Sequence, residues 1–124
     1  VSWSFSVPGQ PPSWNHAYER ATRVARDGRR YSGLKKTAEA EKYQRDVALI
    51  VGAARPSGWT HGEGYLRLRI NLFLGHDIDA TNVWKILEDA IARKLGIDDK
   101  WFLPCFEHKE IGVKQPRVEV TIDA

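Results

Sequence analysis

Covalent bracing is almost absent from this chain: among 124 residues there is one cysteine, Cys105, so no internal disulfide and no cysteine-rich zinc site exist. That usage fits a reducing compartment, and the cytoplasm is the expected location. Long apolar runs are missing too, since stretches such as 70–74 fall far short of the roughly 20 residues that a membrane span needs. No signal-peptide pattern opens the sequence, and there are no internal repeats, low-complexity tracts or domain linkers. Gly62 and Gly64 are not followed by Lys-Ser/Thr or by a helix start, which removes a phosphate-binding loop. His16, His61 and His108 show no metal-ligand spacing, and His76 reads as a turn or phosphate-contacting residue. A composition of 42% hydrophobic and 28% charged residues then predicts one globular domain, 1–124, with a single core.

Charge is unevenly spread. Residues 1–36 hold seven Lys/Arg against two acids, a net of +5, while residues 37–124 hold twelve against fourteen, a net of −2. The basic segment includes Arg20, Arg23, Arg29, Arg30 and Lys35, with Trp14, Tyr18 and Tyr31 among them. Such a stretch suits a polyanion, because each Lys or Arg set on a phosphate releases a condensed counterion, and its contacts position a backbone without reading sequence. A solvated loop would have the same composition.

Residues 4–7 alternate and are stopped by Pro8-Gly9-Gln10-Pro11-Pro12, predicting a short strand and a rigid connection. Asp27-Gly28 marks a turn in the basic segment. From Thr37, a plausible N-cap, to about Ala54, Ala40, Tyr43, Val47, Ile50 and Val51 recur at helical spacing, with Pro56 beyond the end. Leu66, Leu68, Ile70, Leu72 and Leu74 alternate with Arg67, Arg69, Asn71 and Phe73, the clearest strand signal in the chain. A second helix covers about Ala80–Leu95, its apolar face Val83, Ile86, Leu87, Ala90, Ile91 and Leu95, its end marked by Arg93, Lys94 and Gly96. Two strands, about 102–111 and 116–122, are expected to pair as a hairpin. The order β, α, β, α, β, β predicts an α/β (α+β) layer fold with a mixed sheet and two main helices. Cys105, flanked by apolar residues, reads as a small core residue, and Trp84 and Trp101 as core, interface or base-stacking groups.

Asp77 and Asp79 follow the strand two residues apart, so extended geometry points both carboxylates to one side. Two such charges repel unless a cation shares them, which makes a divalent metal one reading and a helix cap at Asp79 or Thr81 the other. Asn82, Lys85 and Asp89 share a face of the following helix, where Lys85 is placed to stabilise charge on a scissile phosphate or simply to pair with Asp89. Asp98-Asp99, after the helix, is either a turn or a loop brought back to the strand end where the path began. Together the acids and the lysine fit metal-assisted attack of water on a phosphodiester.

The pattern Asp77-x-Asp79, Asn82-x-x-Lys85-x-x-x-Asp89-Ala90, Gly96-x-Asp98-Asp99, with Val7-Pro8-Gly9-Gln10-Pro11-Pro12-Ser13-Trp14-Asn15 before it, resembles the RusA family of Holliday junction resolvases over nearly the whole chain. The resemblance implies a homodimeric, Mg²⁺-dependent endonuclease, with Mn²⁺ able to substitute and no organic cofactor. Its substrate would be a four-way DNA junction, nicked on two opposing strands in recombination and repair, typically for a phage or prophage in a bacterial cell. It maps the essential acids onto Asp77, Asp79 and Asp99, with Asp98 beside them at the metal, and the catalytic lysine onto Lys85. Asn82, Asp89 and Asn15 match further family positions, and Asn15, Tyr18, Asn82 and Lys85 join the basic residues as DNA contacts. Ala80 and Thr81 stand between Asp79 and Asn82, where the family runs on directly; they either shift Lys85 or are absorbed by an earlier helix start. A non-catalytic branched-DNA-binding module on the same fold and a nuclease for other branched nucleic acids are the alternative functions.

Overall fold

The computed structural model describes residues 2–13, 18–24 and 30–123, with the backbone alone for 18–24 and 30–35. The elements are β1 (Ser2–Pro8), β2 (Tyr18–Val24), β3 (Arg30–Lys36), α1 (Ala38–Ala54), β4 (Leu66–Leu74), α2 (Ala80–Leu95), a 3-10 turn (Asp99–Trp101), β5 (Phe102–Ile111) and β6 (Arg117–Asp123). The alternation in β1, β4 and β6 turns Trp3, Phe5, Val7, five β4 aliphatics and Val118, Val120 and Ile122 to one face, where all are buried. Both helices cover that face with Ala40, Tyr43, Val47 and Val51 from α1 and Val83, Ile86, Leu87, Ala90 and Ile91 from α2, making one core. Thr37 caps α1 by accepting from the Ala40 amide at 3.2 Å. Gly96 ends α2 at φ 67°, a left-handed cap that glycine adopts without steric cost. Among the described residues, no helix is long and apolar enough to cross a membrane.

The α+β class, the mixed sheet and both main helices agree with the sequence pattern, while the strand pairing differs from it. The sheet runs β1-β6-β4-β5, so β5 and β6 are not a hairpin; β5 lies parallel to β4, and β6 is inserted antiparallel between β1 and β4. The reason lies in α2: a strand that leaves one end of a sheet and returns through a crossover helix re-enters in the parallel sense. β4 buries every second residue and so takes the centre, with a partner on each edge. The basic segment adds an antiparallel pair, β2 with β3, that the sequence pattern did not announce as strands. Asp27-Gly28, its expected turn, lies outside the described residues. β5 is the outer strand: beyond Phe102 all its residues are exposed, Cys105 included, which corrects its reading as a core residue.

Candidate active site

β4 ends at Leu74, and the chain then passes through Gly75 and His76 to the acidic pair. Gln10 fixes this passage: its Oε1 accepts from the Gly75 amide at 2.7 Å, and its Nε2 donates to the His76 carbonyl at 3.3 Å. The Gly9 amide donates to the Pro116 carbonyl at 2.8 Å and the Val113 amide to that of Leu74 at 3.0 Å, so the Pro-Gly-Gln-Pro-Pro connection, the loop before β6 and the acidic loop brace one another. Sequence reasoning overlooked Gln10, whose clue was its place in the signature containing Asn15. His76 is an exposed turn residue, as expected.

Ile78 is buried while Asp77 and Asp79 are exposed, so the two carboxylates flank an apolar anchor and both face solvent. Asp79 caps α2, its Oδ1 accepting from the Thr81 amide at 2.9 Å. Ala80 and Thr81 are thus the first two residues of α2. Asp77 holds the Lys109 ammonium at 2.7 Å, with side chains 72% and 37% exposed, so solvent screens the pair and its net worth is small. Lys109 entered no motif, because only the parallel β4–β5 register, which sets Leu72 beside it, brings it to the end of β4.

Lys85 stands exposed on α2, six residues beyond Asp79, and Asn82 one turn before it. Asp89 pairs with Arg93 and Lys36, each at 3.6 Å, and accepts from Gln44 at 3.1 Å. Trp84 is buried against Phe102, with ring centroids 6.3 Å apart. Trp101 packs its edge on Tyr65 at 5.6 Å.

Asp98 and Asp99 are placed elsewhere. The 3-10 turn carrying Asp99 precedes Phe102, which is in register with Leu66 at the start of β4, whereas Asp77 and Asp79 follow its end. Eight residues of strand at about 3.3 Å each put roughly 26 Å between these positions. The loop therefore does not return to the strand end where the path began, as the sequence reading supposed: a parallel crossover delivers it to the opposite end. Asp98 accepts from the Lys100 amide at 3.0 Å and caps the turn. Asp99 is hydrogen-bonded to Glu88, whose carboxyl is pushed up to about 7, first by burial and then by that bond and the Asp99 charge, while a bond with Trp84 opposes the rise. Glu88 had escaped notice as the neighbour of Asp89. Among the described residues, no three acids or histidines of one chain converge on a cation-sized site.

Tyr18, Arg20, Arg23, Arg30 and Lys35 lie on β2 and β3, where the backbone alone is described, and Asn15 and Arg29 lie outside the described residues.

The chain thus carries a four-stranded mixed sheet backed by two helices, with two exposed acids just beyond the C-terminal end of its strand β4 and a lysine on the helix that follows. The family model described as Endodeoxyribonuclease RusA matches residues 8–123, and the chain belongs to that family, whose members act on Holliday junctions in recombination. The substrate class is therefore branched DNA, and nucleases of this kind generally use a divalent metal. No curated protein matches the chain.

Proposed function

We propose that the protein is a homodimeric Mg²⁺-dependent resolvase that nicks two opposing strands of a four-way junction, and that each of its metal sites is shared between two chains. The observation that carries this reading is the separation of the acids. Asp77 and Asp79 supply hard oxygen donors at one end of the β4–β5 pair and Asp99 another at the opposite end, too far apart for one ion. A two-fold partner with its sheet reversed would set Asp99 of the partner subunit against Asp77 and Asp79, and the reciprocal contact would form a second site. Two symmetric sites match two symmetric cuts. Pro104, Phe106 and Ile111 lie on the helix side of β5 beyond the cover of the helices, giving a second copy apolar surface to bury. Whether through Mg²⁺ or Mn²⁺, a bound divalent ion supplies charge neutralisation at the scissile phosphate and a more acidic water. Asp77, released from Lys109, and Asp79, still capping α2, would hold it, and Lys85 would face the charge that develops on the phosphate.

The deciding experiment incubates the protein with a labelled four-way junction and a matched linear duplex, in Mg²⁺, Mn²⁺ or EDTA. Paired, metal-dependent nicks confined to the junction are the expected result, and Asp79→Asn should abolish them while junction binding in EDTA persists. Asparagine caps helices as well as aspartate does, so this substitution removes the charge and spares α2. Tight binding by the unsubstituted protein without any nick would establish the binding module instead.

A further inference from the structure

Between α1 and α2, on the side of the helix layer away from the sheet, lies a hollow of about 440 Å³ into which four cations converge: Lys36, Arg45, Arg93 and Lys94. Ala48 from α1 and Ala90 from α2, both small, are part of its lining and leave room for it. Against the four cations stand Glu41 on its rim and Asp89, which leaves a net charge of +2. The cations are placed with some precision. Lys36, its side chain only 18% exposed, donates to Gln44 at 2.6 Å, and Gln44 is itself fixed by donating to the Ile86 carbonyl at 3.0 Å. The Lys94 stem lies across the gap on Gly52, where an added Cβ would come within 2.7 Å of its Cε. Asp89 is consumed by Lys36 and Arg93, whereas Arg45 and Lys94 have no acid within 4 Å among the described residues.

We infer that this cleft is a second, phosphate-binding contact for the DNA backbone, holding a junction arm away from the point of cleavage. This rests on the junction reading above and adds a surface to it. Two features favour DNA as the occupant. Lys36 closes β3, so the cleft takes one of its cations from the end of the basic N-terminal stretch of the sequence. Asn82, Asp89 and Arg93 fall on one line along α2, so the helix edge that begins at Asp79 ends in the cleft. Fourteen residues at 1.5 Å each give about 21 Å between Asp79 and Arg93, on the order of six base pairs of duplex at 3.4 Å each. A strand cut at the acidic loop would therefore run along α2 and present its backbone to the cleft about half a helical turn of DNA away. The contact reads charge and no sequence.

The test is junction binding in EDTA across a range of salt, for the unsubstituted protein, Arg45→Ala/Lys94→Ala, and Arg67→Ala on the open face of the sheet. Loss of two phosphate contacts should weaken binding at least tenfold at moderate salt and lower the slope of log K against log salt by about 2. Arg67→Ala should change neither. If the unsubstituted protein binds the junction and the double variant matches it in affinity and slope, the cleft contact is wrong while the junction reading stands. If the double variant loses affinity only as far as Arg67→Ala does, general surface charge is the cause and the cleft contact again falls. An unsubstituted protein that binds no branched DNA would end both readings together. Both substituted side chains project from the helix surface and carry no part of the core, and circular dichroism of the double variant confirms that the fold is kept.

Discussion

Mixing two dead variants gives the sharpest view of the split site. Asp79→Asn and Asp99→Asn each remove one donor, and each alone should cut a junction at least about a hundredfold more slowly than the unsubstituted protein. About 26 Å of parallel strand separates the two positions within one chain, so no conformational adjustment of a side chain closes the gap. If each site takes Asp77 and Asp79 from one chain and Asp99 from the other, a mixed dimer has one site with all its acids and one with neither Asp79 nor Asp99. Random subunit exchange makes about half the dimers mixed, so roughly a quarter of all sites become complete. The assay follows a junction labelled on opposing strands after the variants are mixed, exchanged and given Mg²⁺. Single nicks should reappear at about a quarter of the unsubstituted rate, while paired cutting within one binding event should not return. If each site belonged to one chain, every site in the mixture would still lack an acid, and a mixture as inactive as its components refutes the sharing.

Two further expectations follow from the same geometry. Glu88 is raised from 4.5 to about 7, so between those values the folded chain binds more protons than the unfolded one and its stability falls as pH rises. In EDTA, the unfolding free energy from urea titrations should decline over that window by an amount on the order of 1 kcal/mol, reduced by solvent screening of a partly exposed group. Glu88→Gln should flatten the decline, and an unchanged profile would show that the Glu88–Asp99 bond does not hold the proton. Gln10→Ala removes both hydrogen bonds that fix Gly75 and His76, each worth about 1 kcal/mol at most at an exposed site. Junction cutting at saturating protein should slow several-fold with EDTA binding intact; equal cutting rates would mean that the other braces suffice to place Asp77.

The sequence by itself determined the local structure and the family. Alternation in 66–74 marked the central strand, the apolar stripe in 80–95 marked the second helix, and Thr37 and Gly96 marked helix ends, because each signal depends on residues within a few positions of one another. The exposed Asp77–Asp79 pair was legible for the same reason, since a two-residue period with Ile78 buried between needs no distant partner. Only the tertiary structure decided which strands meet. The parallel β4–β5 pairing sent Asp99 to the far end of the sheet, brought Lys109 to Asp77, and exposed Cys105 on an edge that an adjacent hairpin would have paired differently. The same distinction applies to Gln10, which reaches 65 residues along the chain to hold the acidic loop, and to the cleft, where β3, α1 and α2 each contribute cations. Hydrophobic period is written along the backbone, but charge meets charge across it, and that meeting depends on a packing choice that no local pattern encodes.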